Sequence, residues 1–251
     1  MGRQTFFLAR LFGIRVGVHA TWLVVFAFMT VVLARALDAL PAPAAYLVGA
    51  AFSIAVFAGI VAHELAHAVV ARRFGVRTET ITLFLFGGVA EMEAEPGTPR
   101  ADALIALAGP AMSAAIAAVA IGATFALDRI APGITANGVG RLAIYVGLAN
   151  AVLAAFNLLP AYPMDGGRVL RALVWHRTRD RRVATIAAAR VGMGFALAFV
   201  AAGTVEAAAQ HDLFYGWTAV MGGFLFHQGW SQARALRVVA RAPGVEVSAA
   251  A

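Results

Sequence analysis

Residues 44–71 read AAYLVGAAFSIAVFAGIVAHELAHAVVA, and this stretch decides what kind of protein the chain is. A helix needs about 20 mostly apolar residues to cross a bilayer, and this run is long enough. Within it lies His63-Glu64-Leu65-Ala66-His67. On a helix the spacing i, i+4 puts both imidazoles on one face, within reach of a single ion. The intervening Glu64 is one residue from the first imidazole, so it can lie beside a metal-bound water as a general base. The plain alternative is a hydrogen-bonded polar cluster that only packs the helices. Ionisable groups at membrane depth are costly and mark function far more often than packing, which favours the metal.

The composition agrees with a membrane setting. Of 251 residues, 61% are hydrophobic and 13% charged, a poor match to a soluble domain. The mean hydropathy is +0.80. The charges fall in short intervals between apolar runs, the pattern of a polytopic chain. The net charge is +7, yet the arginines flank apolar segments and form no single patch, so nucleic acid is not an expected partner. There is no Cys, which excludes disulfides and leaves His, Asp and Glu as metal ligands.

Six spanning helices are expected, at about 20–37, 44–71, 101–127, 139–158, 187–209 and 213–233. The arginines orient them. Those at 3, 10 and 15, at 72, 73, 77 and 100, at 168–182, and at 234, 237 and 241 fall on one side; Arg35, Arg129 and Arg141 fall on the other. The positive-inside rule places the first side, with both termini, in the cytoplasm. The basic residues are all Arg and the chain is rich in Ala and Gly, as in a GC-rich bacterial genome. The expected location is therefore the bacterial inner membrane, with the lipid bilayer as the standing partner.

Two connections stand out. Residues 76–95 are rich in β-branched and aromatic side chains around Gly87-Gly88, which predicts a membrane-associated β-hairpin or small sheet. Residues 157–168, Asn-Leu-Leu-Pro-Ala-Tyr-Pro-Met-Asp-Gly-Gly-Arg, break the fourth apolar helix with two prolines and two glycines. Irregular backbone at membrane depth is tolerated only where protein buries it or it lines a cavity, so the break points to a site. The fold expected is one α-helical polytopic core over 1–241, with a short disordered tail at 242–251.

Two histidines leave a catalytic zinc short of a protein ligand. Asp165, in the broken segment, supplies a carboxylate, and Gly166 and Gly167 let the backbone bring it close. Its local alternative is an N-cap for the helix that follows. The need for a third ligand favours the metal, giving one Zn2+ per chain on His63, His67 and Asp165.

On these residues the chain resembles the site-2 protease family of intramembrane zinc metalloproteases. The resemblance is carried by His63-Glu64-Leu65-Ala66-His67 in an apolar helix, by Gly87-Gly88-Val89-Ala90, and by Asn157-Leu158-Leu159-Pro160 with Asp165-Gly166-Gly167-Arg168. Gly13-Ile14-Arg15-Val16 and His19 are similar to that family's lead into its first helix. The likeness implies zinc ligands at His63, His67 and Asp165 and a catalytic base at Glu64. It also implies that Asn157 helps hold the substrate backbone and that the Gly87-Gly88 hairpin is a membrane-inserted sheet edge. The paired CBS or the PDZ modules of some members are not seen in this sequence.

The substrate expected is a transmembrane protein whose helix unwinds before attack. A strand edge near Leu83, Phe84, Leu85 and Phe86 would pair with the unwound stretch. Asn150 has two readings, cavity lining or a hydrogen bond between helices. His19 reads as a cap or an interfacial residue. Two other functions compete. A metal or proton transporter would use intramembrane His and Asp but has no need of Glu64. A catalytically silent scaffold would have lost one of these four residues.

Overall fold

The computed structural model describes residues 5–37, 40–84, 87–133, 138–210 and 216–239. The expected tail at 242–251, together with Leu85 and Phe86, lies outside them. Seven helices and a four-stranded sheet are found among these residues. The chain separates into two compact units, residues 1–97 with 107–156, and residues 98–106 with 157–251.

In the first unit, β1 (Thr5–Leu11) and β2 (Ile14–His19) form an antiparallel hairpin. Its two-residue loop has φ of +50° at Phe12 and +80° at Gly13, matching the twist that short hairpins demand. β2 then pairs in parallel with β3 (Thr78–Phe84). A parallel pair requires a long crossover, supplied by α1 (Ala20–Ala36) and α2 (Ala42–Arg73). β3 pairs antiparallel with β4 (Gly87–Met92), so the sheet order is β1-β2-β3-β4. His19 is the N-cap of α1, its ring accepting from the Thr21 amide, which is the capping role expected of it.

Alternation along β2 turns Ile14, Val16 and Val18 inward. Ile14 and Ile81 of the sheet pack with Ala68 and Leu65 of α2. Val18 and Leu83 pack with Phe57 of α2 and with Trp22 of α1. The sheet thus clamps the turn of α2 that carries the His-Glu-His motif. α3 (Pro99–Asp128) and α4 (Gly138–Asn157) complete the helices numbered before the break.

In the second unit, α5 (Asp165–Thr178), α6 (Arg181–Gln210) and α7 (Trp217–Val239) follow the broken segment. Ala161 and Met164 of that segment pack with Ala196 of α6 and Leu225 of α7. Gly166 lies against the carbonyls of Leu158 and Leu159, and Gly167 against the backbone of Ala161 and Tyr162. A Cβ at either position would collide with main chain, so the fold-back requires glycine.

Two expectations need correction. Gly87-Gly88 is not the reversal of the hairpin, because Phe84 pairs with Gly87 and Leu83 with Gly88, placing both glycines in β4. The strand bearing Leu83 and Phe84 is also not an edge. It is paired on both sides, by β2 and β4, so the edge beside it belongs to β4. Of the six expected spans, α2, α3, residues 140–157 of α4, and α6 are long and apolar enough to cross a membrane, whereas α1 is a shorter apolar helix. The loop expected between the fourth and fifth spans contains helix α5.

Candidate metal centre

His63 and His67 lie one turn apart on α2, each only 3% exposed. Their Nε2 atoms are 3.1 Å apart. Two nitrogens held by one tetrahedral zinc at about 2.0–2.1 Å each lie about 3.3 Å apart, so the observed spacing suits a shared ion. The Nδ1 of His63 is 3.0 Å from the hydroxyl of Ser113, which is fully buried on α3. With Nδ1–H donating to that oxygen, the ligating lone pair lies on Nε2. Room for an ion comes from Gly109, one turn before Ser113. A Cβ there would overlap Nε2 of His67 and stand 2.5 Å from Nε2 of His63.

Glu64 is half-buried on the same turn and faces the sheet. A Cβ at Gly88 would come 2.7 Å from its Cγ and 3.2 Å from its Oε1. Gly88, the second residue of β4, therefore admits the Glu64 side chain against the sheet edge. Gly87 has φ +127°, a backbone region suited to glycine.

Asp165 is the first residue of α5, and the N-cap is Met164, whose side chain makes no capping bond. The N-cap reading of Asp165 therefore fails. Its carboxylate is buried, 3.9 Å from Nη1 of Arg168. Arg168 also reaches Asp102 at 3.4 Å. Asp102 is fully buried and accepts a bidentate pair of 2.8 Å bonds from Nε and Nη2 of Arg171, itself 5% exposed. Paired forks of this kind are among the strongest charge-assisted bonds. Arg168 and Arg171, two of the arginines that set the orientation, thus build a buried charge chain that ends on Asp165.

His63, His67 and Asp165, all buried, make a two-imidazole, one-carboxylate donor set consistent with a single zinc ion. Asn150 is 2% exposed, donates to the Val146 carbonyl at 2.9 Å, and has a buried Oδ1 without a partner. It faces Gly59 of α2 and lines an apolar cavity of about 240 Å³. Asn157 is the half-buried last residue of α4. Leu83 is buried and Phe84 half-buried within β3. Sequence reading missed Ser113, Gly109, Asp102 and Arg171. A serine one turn after glycine in an apolar helix, and an acid in that helix's first turn, were the available signals.

The profile of peptidase family M50 matches residues 51–130 and 129–201. The chain belongs to that family. It is 42% identical over 229 residues to the "Putative zinc metalloprotease Rip3" of Mycobacterium tuberculosis, covering 87% of this chain and 56% of that protein. A Synechocystis protein with the same zinc metalloprotease description is 34% identical over 231 residues, covering 91% of this chain and 59% of that one. The chain thus spans less than two thirds of the length of these relatives. Among solved structures, it superposes on the "Site-2 Protease from Methanocaldococcus jannaschii" with a TM-score of 0.61 and 25% identity, covering 92% of this chain and 95% of that one. Family and apolar helices together make this M50 chain a multi-pass membrane protein.

Proposed function

We propose that the chain is an intramembrane zinc metalloprotease that hydrolyses peptide bonds of transmembrane or membrane-associated proteins. One observation carries the reading: the two Nε2 atoms of His63 and His67 stand 3.1 Å apart inside an apolar helix, with Glu64 on the same turn. Asp165 is the third ligand. When bound, a zinc ion supplies Lewis acidity that lowers the pKa of water and polarises a carbonyl. Glu64 takes the proton from the attacking water and passes it to the leaving amine.

The substrate must expose its backbone, since a helix hides it in internal hydrogen bonds. The unwound stretch adds to the edge of β4, which starts at Gly87-Gly88 beside Glu64 and offers main-chain groups for strand addition. Asn157 donates a side-chain hydrogen bond to the same stretch, and Asn150 lines the approach. The chain crosses the bacterial inner membrane six times, with α1 and α7 joining the four longer helices and both termini cytoplasmic. The arginine bias supports that orientation.

The test is to purify the protein in detergent, measure bound zinc, and assay a model transmembrane substrate beside Glu64→Gln. Wild type should hold about one zinc and cleave. The variant should hold zinc and lose at least a factor of about 10²–10⁴ in rate. Cleavage by Glu64→Gln at the wild-type rate, or a wild type that takes up no zinc when supplied, would overturn the proposal.

A further inference from the structure

One cavity of the first unit is lined by none of the residues of the metal centre. It holds about 700 Å³ and is lined by four arginines from three elements: Arg10 of β1, Arg15 of β2, Arg72 of α2, and Arg77, the residue before β3. Two of these are set against each other, because Arg10 is the direct cross-strand partner of Arg15. Like charges placed opposite on neighbouring strands destabilise a sheet unless something neutralises them. The protein offers little neutralisation. Glu79 lines the cavity and pairs with Arg15 at 3.8 Å, but both side chains are about half exposed, where such a pair contributes little. Glu93 also lines it. Among the described residues, Arg10, Arg72 and Arg77 have no ion-pair partner.

Two further features suit a ligand. Thr78 lines the same cavity, and its hydroxyl is buried with no hydrogen-bond partner. Gly13, at the hairpin tip, lines the same cavity beside the Arg72 guanidinium. Four cations against two carboxylates leave a net charge of about +2 in the cleft, which suits a monoanion better than a polyphosphate. Planar arginine forks are matched to phosphate oxygens.

The rim says where that phosphate comes from. Phe12, between the lining residues Arg10 and Gly13, is 71% exposed, and Leu11 is 39% exposed. Phe74, beside Arg72, is 39% exposed. Phe12 also has φ +50°, a region a bulky aromatic residue rarely adopts and one that costs energy. Along β1, Phe6, Phe7 and Leu8 are each more than half exposed. An apolar rim beside an arginine cleft, on a membrane protein, has one end for hydrocarbon and one for a headgroup.

We propose that this cleft binds the phosphodiester headgroup of an anionic phospholipid, with Arg10, Arg15, Arg72 and Arg77 holding the phosphate and Phe12 seated in the acyl region. The site is independent of the metal centre and does not need the protease reading to hold.

The experiment titrates dioleoylphosphatidylglycerol, dioleoylphosphatidylcholine and free glycerol 3-phosphate into the detergent-purified protein, with native mass spectrometry counting bound molecules. Phosphatidylglycerol should bind in preference to phosphatidylcholine. Arg72→Gln/Arg77→Gln should weaken it roughly twenty-five-fold, at about five-fold per arginine near an anionic surface. Arg10→Gln/Arg15→Gln, on the opposite wall, should do the same. Arg177→Gln/Arg179→Gln, exposed but outside the cleft, should change binding less than two-fold, on the order of a screened surface charge. Equal binding of the two lipids overturns the proposal, as does equal loss in the control pair or no loss in either cleft pair. Free glycerol 3-phosphate binding as tightly as the lipid overturns the lipid assignment and makes the ligand a soluble phosphate ester.

Discussion

The two sources of the proposed metal donors are held in opposite ways. His63 and His67 stand on a regular helix, where the i, i+4 spacing alone brings two neutral rings to one face. The hydroxyl of Ser113 and the space beside Gly109 help to place them. Asp165 begins a helix that follows irregular backbone, and its surroundings are charged: Arg168 beside it, then Asp102, then Arg171. Regular structure positions neutral donors at little cost. A charged donor after a chain break needs glycine crossings at Gly166 and Gly167 and a set of counter-charges, because a buried ion without partners is costly.

That contrast can be broken most strongly at Asp102. Asp102→Asn keeps the shape and removes the charge, leaving Arg171 buried with no carboxylate to hold it. Breaking a buried pair in this way costs about 3–5 kcal/mol. The melting temperature in detergent should fall sharply, while any zinc bound by the remaining folded protein still engages His63 and His67. Asp102→Asn paired with Arg171→Met should recover part of the loss, since an apolar replacement leaves no orphaned charge. An unchanged melting temperature for Asp102→Asn would mean that the glycine crossings alone fix the start of α5.

The same contrast explains what the sequence made visible. The helix motif was legible because ligand spacing and hydrophobic run coincide within five residues of one element. The break at 157–168 was legible because proline and glycine act locally. The charge chain was not, since Asp102 and Arg171 are 69 residues apart and neither is unusual in its own segment. α5 falls among the connections in the hydropathy pattern because its three arginines interrupt the apolar run, yet one of them, Arg171, is buried against Asp102. β1 was missed for a different reason. Its large apolar residues are exposed, so it lacks the alternation that marks a half-buried strand. Gly87-Gly88 resembled a turn because glycine pairs usually are turns; here Gly88 is needed for the approach of Glu64.

On the neutral side, Gly109→Ala is the sharper probe. The added methyl would overlap the facing imidazole nitrogens, so the two rings must move apart or swing away. A displacement of about 1 Å at a catalytic centre costs about a hundredfold in rate, and kcat/KM should fall by at least that much. Stability should fall far less than activity. Alanine is favoured over glycine inside a helix by about 0.8–1.0 kcal/mol, which offsets part of the roughly 1–3 kcal/mol cost of crowding the rings, so the melting temperature should fall only slightly. Loss of activity with a retained fold would separate room for the ion from packing of the helix. A variant with wild-type activity would show that the rings tolerate a neighbour there and that Gly109 serves only helix contact.

The smallest expected effect belongs to Ser113→Ala. Removing the hydroxyl leaves the His63 ring without its Nδ1 acceptor, so the ring can rotate and the proton can sit on either nitrogen. Partners of this kind change metal affinity by about 10–100-fold, and the lower end is expected because α2 still fixes the ring's position. Zinc affinity measured by chelator competition should fall about tenfold, with a loss in stability of about 1 kcal/mol. Nitrogen chemical shifts of the metal-free protein should show His63 passing from one tautomer to a mixture. A purely structural serine would produce the stability loss without the affinity change or the tautomer shift. Ser113→Thr, which keeps a hydroxyl within reach, should restore most of the zinc affinity, because the acceptor itself, rather than the volume of the side chain, is what orients the ring.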